Sequence, residues 1–415
     1  MNSSVLKVIL SGRMLVLFLM GFSSGIPLLL IGSTLRAWMT EEKIDLTVIG
    51  IFSLVGLPYA LKFLWAPLMD RYVPPFLGRR RGWMLITQIA LMAVISVLGF
   101  SSPAQMPWRV AVLAFLVAFF SASQDIVVDA YRREVLTDEE LGLGSSLGIN
   151  GYRIALLTSG ALALFLADHF PWKVVYLLMA GLILVGIVTT LSASEPRRNI
   201  TPPGSLKEAL VEPFLDYFKR KEALGILAFV LLYKIGDQMA SDMATPFYLK
   251  IGFTKTEIAA IAKTFGLGAT ISGALLGGIL MLRLEINRSL WIFGFLQMVS
   301  TFCFSLLAQA GPSKPMLAGV IAFENLSGGM GTTAYAAFMA SLCNVRFTAT
   351  QYALLSSLIG IPRVFASAPT GYLAKHLGWS QFFIVCGLAA LPGLLLLSRF
   401  APWKKKEPSV APANF

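Results

Sequence analysis

Several ionisable side chains fall inside stretches that are otherwise almost wholly apolar: Lys62, Asp125, Asp129, Arg153, Lys234, Asp237, Asp242, Lys263, Glu324 and Arg363. A charge in hydrocarbon is expensive, and it is kept where it faces a cavity, a ligand or another charge. Lys234 and Asp237 are three residues apart and so share one helix face. That spacing fits a self-neutralising pair, and equally a cation for an anionic ligand whose carboxylate partner exchanges a proton. Asp125 ends the polar island Ser121-Ala122-Ser123-Gln124-Asp125, and Glu324 lies in Phe323-Glu324-Asn325-Leu326-Ser327. A carboxyl held away from water favours its protonated form, so Asp125, Glu324 and Asp237 are the candidates for proton exchange. Arg153 and Arg363 stay charged throughout. They can fork a carboxylate, or tie to Asp125 or Glu324.

A second constellation, Asp70-Arg71-Tyr72 followed by Gly78-Arg79-Arg80-Arg81, lies between two apolar stretches. A carboxylate and an arginine cluster at adjacent helix ends can form a charge latch. Asp70, Arg71, Arg79, Arg80 and Arg81 are therefore expected to act in gating. The later half of the chain keeps Arg283 and Arg288 but has Leu282 where the aspartate would fall, a degraded copy. His169 and His376 sit in matching contexts, Ala167-Asp168-His169-Phe170-Pro171-Trp172 and Ala374-Lys375-His376-Leu377-Gly378-Trp379, and read as a duplicated structural turn. Cys303, Cys343 and Cys386 show neither metal-ligand spacing nor a disulfide framework. No nucleophile–base constellation or large aqueous loop favours an integral-membrane enzyme; neither a metal nor a cofactor is expected.

The elements that must hold these residues follow from composition. Hydrophobic residues make up 56% of the 415-residue chain and charged ones 13%, where soluble domains carry roughly 25% charged residues. Runs of about 20 apolar residues fit a hydrocarbon core of roughly 30 Å. Twelve spans are expected near 13–38, 47–69, 84–101, 108–131, 143–167, 172–194, 223–250, 256–281, 289–310, 315–343, 349–374 and 379–400. The first is read as a retained helix, not a cleaved signal. The face carrying the N-terminus, the loops after even-numbered spans and the C-terminal tail holds more than twice as many lysines and arginines as the other. It is cytoplasmic by the positive-inside rule, with both termini inside. The net charge of +12 is then a topology signal and implies no nucleic-acid partner. Trp38, Trp65, Trp83, Trp108, Trp172 and Trp379 fall mostly at span ends, as an interfacial belt does. Gly21, Gly25, Pro27 and Gly328-Gly329-Met330-Gly331 mark close helix contacts and bends.

Residues 195–222 are polar and contain Pro196, Pro202, Pro203 and Pro213. They divide a six-span half (1–194) from a second (223–400), with a tail at 401–415. A short amphipathic segment, Leu206–Phe218, is expected on the membrane surface, kinked by Pro213. The halves repeat: Ile49, Gly56 and Arg71 recur at the same spacing as Ile261, Gly268 and Arg283, and Gly151-Tyr152-Arg153 as Ile361-Pro362-Arg363. Parallel half-repeats place a solute site near the midplane between the halves. The fold class is therefore an all-α membrane protein of two pseudo-symmetric six-helix halves, expected to be a monomer in the lipid bilayer.

The stretch 70–81 resembles the signature loop of the major facilitator superfamily. More narrowly, the chain is similar to the AmpG-type muropeptide permeases. The matching stretches include Gly32-Ser-Thr-Leu-Arg-Ala-Trp-Met39, Lys62-Phe-Leu-Trp65, Pro67-Leu-Met-Asp-Arg-Tyr72 and Gly78-Arg-Arg-Arg-Gly-Trp83. Others are Ser121-Ala-Ser-Gln-Asp-Ile-Val127, Tyr233-Lys-Ile-Gly-Asp237, Phe323-Glu-Asn325 and Ala349-Thr-Gln351. Shorter relatives include siderophore and acetyl-CoA carriers. The resemblance implies proton-driven import of anhydromuramyl disaccharide peptides across the inner membrane, a role in cell-wall recycling and, in some bacteria, β-lactamase induction. Under it, Lys62, Arg153, Lys234 and Arg363 would bind peptide carboxylates, and Gln124 or Asn325 a sugar. A permease for another anionic solute, such as a ferric siderophore, is the alternative.

Overall fold

The computed structural model describes residues 8, 11–45, 48–49, 52–196, 203–220, 222–358, 369–401 and 403. Among the described residues it is all helix, and nine helices are long and apolar enough to cross a bilayer. In chain order the first six elements are α1 (Gly12–Glu41), α2 (the broken segment 52–71), α3 (Arg79–Gly99), α4 (Pro107–Val135), α5 (Leu141–Ala167) and α6 (Trp172–Ser192). A surface helix, α7 (Leu206–Phe218), follows. Then come α8 (Ala223–Ile251), α9 (Ile258–Met281), α10 (Ile286–Ala310), α11 (Lys314–Leu342), α12 (Thr348–Leu358), α13 (Thr370–Leu377) and α14 (Trp379–Arg399). The chain falls into two compact units. One comprises Met1–Tyr217 with Met339–Ser357, and the other Phe218–Phe338 with Leu358–Phe415.

Each unit buries an apolar core, and the two are built differently. In the first, aliphatic side chains such as Leu91, Ile95, Val117 and Ile183 have no exposed surface. In the second, Phe247, Phe304 and Phe383 interlock, with Phe247 and Phe383 edge to face at 4.8 Å and Phe304 and Phe383 stacked at 5.0 Å. Aromatic pairs in these geometries add about 0.5–1.5 kcal/mol to their area burial. Leu184, Val188, Phe295 and Leu395 are among the large apolar side chains left outside, as a lipid-facing surface requires.

Glycine sets the closest approach between helices. A Cβ on Gly21 of α1 would lie 2.1 Å from the Gly148 carbonyl oxygen of α5, and one on Gly151 would lie 2.0 Å from the Phe18 oxygen. The bend expected in the first span comes after Pro27, at Gly32, where φ −92° and ψ −107° interrupt a π-type turn over Leu30–Thr34. Helix α7, by contrast, runs through Pro213.

Among the described residues, two helices break inside the apolar region at a lysine. In α2 the ladder passes from Leu57–Leu61 into a 3-10 turn at Lys62–Leu64 before Ala66–Arg71. In α8, Tyr233 and Lys234 form a turn between Ala223–Leu232 and Ile235–Ile251. Irregular backbone at membrane depth survives where protein or a cavity satisfies its freed polar groups.

Candidate functional site

The latch residues divide in two. Arg80 and Asp70 have no exposed surface, and Arg80 Nη2 donates to Asp70 Oδ1 at 2.8 Å. The same guanidinium grips Glu134 at the end of α4, with Nη2 to Oε1 at 2.6 Å and Nε to both oxygens at 3.1 Å, and reaches the Met69 carbonyl at 3.2 Å. Arg79 adds a contact to Glu134 at 3.1 Å. Two cations and two anions thus form a neutral, buried chain, Asp70–Arg80–Glu134–Arg79, the condition under which ion pairs tolerate burial. The other oxygen of Asp70 faces the start of α12. Thr350 N–H and Thr350 Oγ1 donate to Oδ2 at 2.8 and 2.7 Å, and Ala349 N–H reaches Oδ1 at 3.3 Å. Asp70 therefore caps a helix N-terminus to which it is remote in sequence, where free N–H groups and the helix dipole both favour a carboxylate.

Arg71 and Arg81 lie elsewhere, which corrects the expectation of a five-residue latch. Arg71 follows Asp70 at the helix end and donates outward to the Pro203 carbonyl at 3.0 Å. Arg81 turns to the last carbonyls of α6, those of Thr190 and Leu191. The arginine run occupies the first turn of α3, so successive side chains fan out by about 100°. The backbone N–H groups of Arg80 and Arg81 are taken by Glu195 at 2.8 and 3.0 Å.

Within the first unit, the half-buried Asp125 lies in the electrostatic reach of Lys62, Asp129, Arg132, Tyr59 and Tyr152. Asp129 pairs with Arg132 at 2.8 Å, and Arg132 also donates to the Tyr352 hydroxyl at 2.8 Å and lies over its ring. Lys62 is 7% exposed. Arg153 is half-buried on α5. Gln124, expected to meet a sugar, is instead enclosed: its side chain has no exposed surface and donates to Ser23 Oγ at 3.1 Å.

The second unit holds a denser network. Lys234, at the α8 break, donates to Asp237 at 3.4 Å, Gln297 Oε1 at 3.1 Å and the Gly328 carbonyl at 3.5 Å. The Asp237 and Glu324 carboxyls lie within electrostatic reach of one another. Asn325 Nδ2 donates to Glu324 at 2.8 Å, and Thr270 Oγ1 donates to Asn325 Oδ1 at 2.6 Å. Glu324 and Asn325 line a cavity of about 140 Å³ together with Ser241, Thr245, Tyr248 and Lys263. Lys263 and Asp242 are exposed on this unit. Arg363 lies outside the described residues.

Sequence reasoning missed Glu134, Thr350 and Gln297. Gln297 carried the signal already used for Asn325, a lone amide in an apolar run. Glu134 carried another, an acid directly after the arginine pair Arg132-Arg133. Thr350 carried none. The duplicated histidine turn has a structural counterpart in both copies: His169 stacks on Phe165 and His376 on Tyr372, each four residues earlier, at 4.9 and 4.2 Å.

The family model of the Major Facilitator Superfamily matches residues 14–367. The chain belongs to this superfamily. Within it, the anhydromuropeptide permease of Escherichia coli K12 is 48% identical over 400 residues, spanning 96% of this chain and 81% of that protein. This likeness places the chain among the AmpG-type permeases. An uncharacterized protein of Haemophilus influenzae is 43% identical, covering 98% of this chain and 99% of its own. Among solved structures, the proton:xylose symporter XylE aligns over 97% of both chains with a TM-score of 0.70 at 12% identity, a likeness of fold. The protein is thus a multi-pass membrane protein of a transporter family.

Proposed function

We propose that this protein carries anhydro-muropeptides across the bacterial inner membrane into the cytoplasm, driven by protons, and so serves cell-wall recycling. The observation that carries the reading is the 48% identity to an anhydromuropeptide permease across 96% of the chain. The chemistry of the buried groups supports it. A muropeptide brings carboxylates and a sugar. Lys234 and Lys62, each at a helix break, and Arg153 are assigned to the carboxylates, and Asn325, on the wall of the cavity beside Glu324, to hydroxyl groups. Gln124 is assigned to tying α4 to α1.

Asp237 and Glu324 are assigned to proton coupling in the second unit and Asp125 in the first. Glu324 lies within electrostatic reach of Asp237, and like charges that close cannot both be ionised cheaply. Lys234, fixed on Asp237, offers its charge to an arriving carboxylate when that aspartate is neutralised. Asp70, Arg79, Arg80 and Glu134 are assigned to closing the cytoplasmic side.

The test is uptake of radiolabelled anhydro-muropeptide by proteoliposomes under an inward proton gradient. Uptake is expected, and an uncoupler should abolish it. Absence of uptake by folded protein, or uptake of a ferric siderophore in its place, overturns the reading. Asp125→Asn and Glu324→Gln should each cut gradient-driven uptake at least tenfold, a barrier change of about 1.4 kcal/mol, while the protein still inserts. Survival of both counterflow and driven uptake removes these residues from proton coupling.

A further inference from the structure

Helix α7, in the connector between α6 and α8, carries two stripes that the transport reading leaves unused. Glu208, Glu212 and Asp216 recur every four residues and so form one face. That face is engaged. Asp216 accepts from Gln351 Nε2 at 2.7 Å and from Asn344 Nδ2 at 3.3 Å. Gln351 Nε2 also reaches the Pro213 carbonyl at 3.1 Å, while its Oε1 accepts from the Asn344 N–H at 2.8 Å. Arg346 pairs with Glu208 and lies 3.7 Å from Glu212. All these contacts fall on residues 344–351, the segment whose Ala349 and Thr350 N–H groups bind Asp70.

The other stripe is apolar and exposed. Leu210 is 41% exposed, Val211 43%, Leu215 50% and Phe218 50%. Exposed lysines, Lys207 and Lys219, stand at its two ends. Because α6 and α8 both enter the bilayer, the connector between them is held at the membrane face. An apolar stripe flanked by lysines there matches the headgroup boundary of an anionic leaflet.

We propose that α7 is a membrane-bound strap: its Leu210–Val211–Leu215–Phe218 face lies in the anionic cytoplasmic leaflet while its acidic face holds segment 344–351 against Asp70. The lipid surface thereby fixes the position of the segment that Asp70 caps. Partition of the apolar stripe supplies the anchorage, and the acid–amide contacts transmit it. The proposal goes beyond the transport assignment and does not depend on which solute is carried.

Two measurements test it. In the first, a Leu215→Cys protein carrying an environment-sensitive fluorophore is reconstituted into vesicles of phosphatidylglycerol and phosphatidylcholine with brominated acyl chains. Bromine should quench the label, more strongly than in phosphatidylcholine alone. Quenching by aqueous iodide and not by bromine overturns the lipid contact. So does blue-shifted emission that neither agent quenches, which would mean a protein surface covers the stripe. The second measurement uses a native reporter. Cys343 is 5% exposed and adjoins Asn344. In Asp216→Ala its rate of modification by N-ethylmaleimide, resolved from Cys303 and Cys386 by peptide mass spectrometry, should rise about fivefold or more as the segment opens locally. The double variant Glu208→Gln with Asp216→Asn, which keeps side-chain volume, should do the same. An unchanged rate in both overturns the strap's hold on the segment.

Discussion

At the scale of single residues, Arg80 is the side chain on which most depends. It is the cation shared by Asp70 and Glu134, with no water to replace it. Arg80→Ala leaves two buried carboxylates facing one remaining guanidinium, and breaking a buried pair this way costs about 3–5 kcal/mol. Thermal unfolding followed by size-exclusion chromatography should show a clear loss of stability, and Arg80→Lys should recover little, since an ammonium cannot fork one acid while reaching the other. Glu134→Gln is expected to be milder, because an amide still accepts from Arg80. A ranking in which Glu134→Gln is the worst of the three refutes the shared-cation geometry. Gln297→Leu is a companion test. It removes the side-chain amide that accepts from Lys234, and solute affinity should change while expression holds.

At the scale of elements, two contacts decide how helices meet. The α1–α5 approach leaves no room for side chains at Gly21 or Gly151. Gly151→Leu should abolish folded protein altogether, read as loss of the monodisperse peak, whereas Gly181→Ala, where a Cβ meets open space, should be neutral. In the second unit an exposed tie joins the start of α9 to the start of α11. Lys314 bonds Glu257 at 2.8 Å, and this contact, with the Thr254 backbone N–H, holds the Glu257 carboxyl below its usual range. A depressed carboxyl contributes its tie above the ordinary value of 4.5 and loses it only as pH falls through the lowered value. Acidifying the medium around purified protein to about pH 5.5 should therefore leave the Glu257–Lys314 crosslinking yield with carbodiimide unchanged, whereas pH 3 should reduce it.

Elements were also where the sequence spoke most clearly. Long apolar runs allow one solution in hydrocarbon, the helix, because every backbone group must be satisfied within the segment. Span ends read from hydropathy accordingly fall near α3, α4, α6 and α10. Pairings were less legible. Lys234 with Asp237 is local and visible in the spacing. The Arg80–Glu134 contact is separated by 54 residues and Asp70–Thr350 by 280, and nothing in a one-dimensional pattern ties those positions. The direction of a side chain was equally hidden. Arg79, Arg80 and Arg81 look equivalent in sequence, yet the first two meet on Glu134 while helical rotation turns Arg81 to the end of α6.

At the scale of the whole molecule, charge asymmetry and membership of a transporter family combine to give a topological expectation. With both termini on the lysine- and arginine-rich side, a C-terminal green fluorescent protein fusion should fluoresce and an alkaline phosphatase fusion should be silent. Active phosphatase at that end would invert the topology. Each compact unit also contains its own acid and lysine near a helix break, Asp125 with Lys62 and Asp237 with Lys234. Neutralising one acid should therefore leave a protein that still binds solute, detectable by counterflow without a gradient. Neutralising both should leave neither unit able to exchange a proton.

The cap that Asp70 places on α12 is made largely with main-chain N–H groups. Recognition written in the backbone does not specify which side chains the recognised segment carries. Position 349, whose side chain is buried, can thus change among small residues without loosening the cap, and position 350 loses only a hydroxyl contact when threonine is replaced by alanine. Proline is the exception, because it deletes the donor itself. In a saturation library selected for transport, Thr350→Pro should disappear while Ala349 variants of modest size persist, a signature of inheritance through the chain's scaffold and not its alphabet.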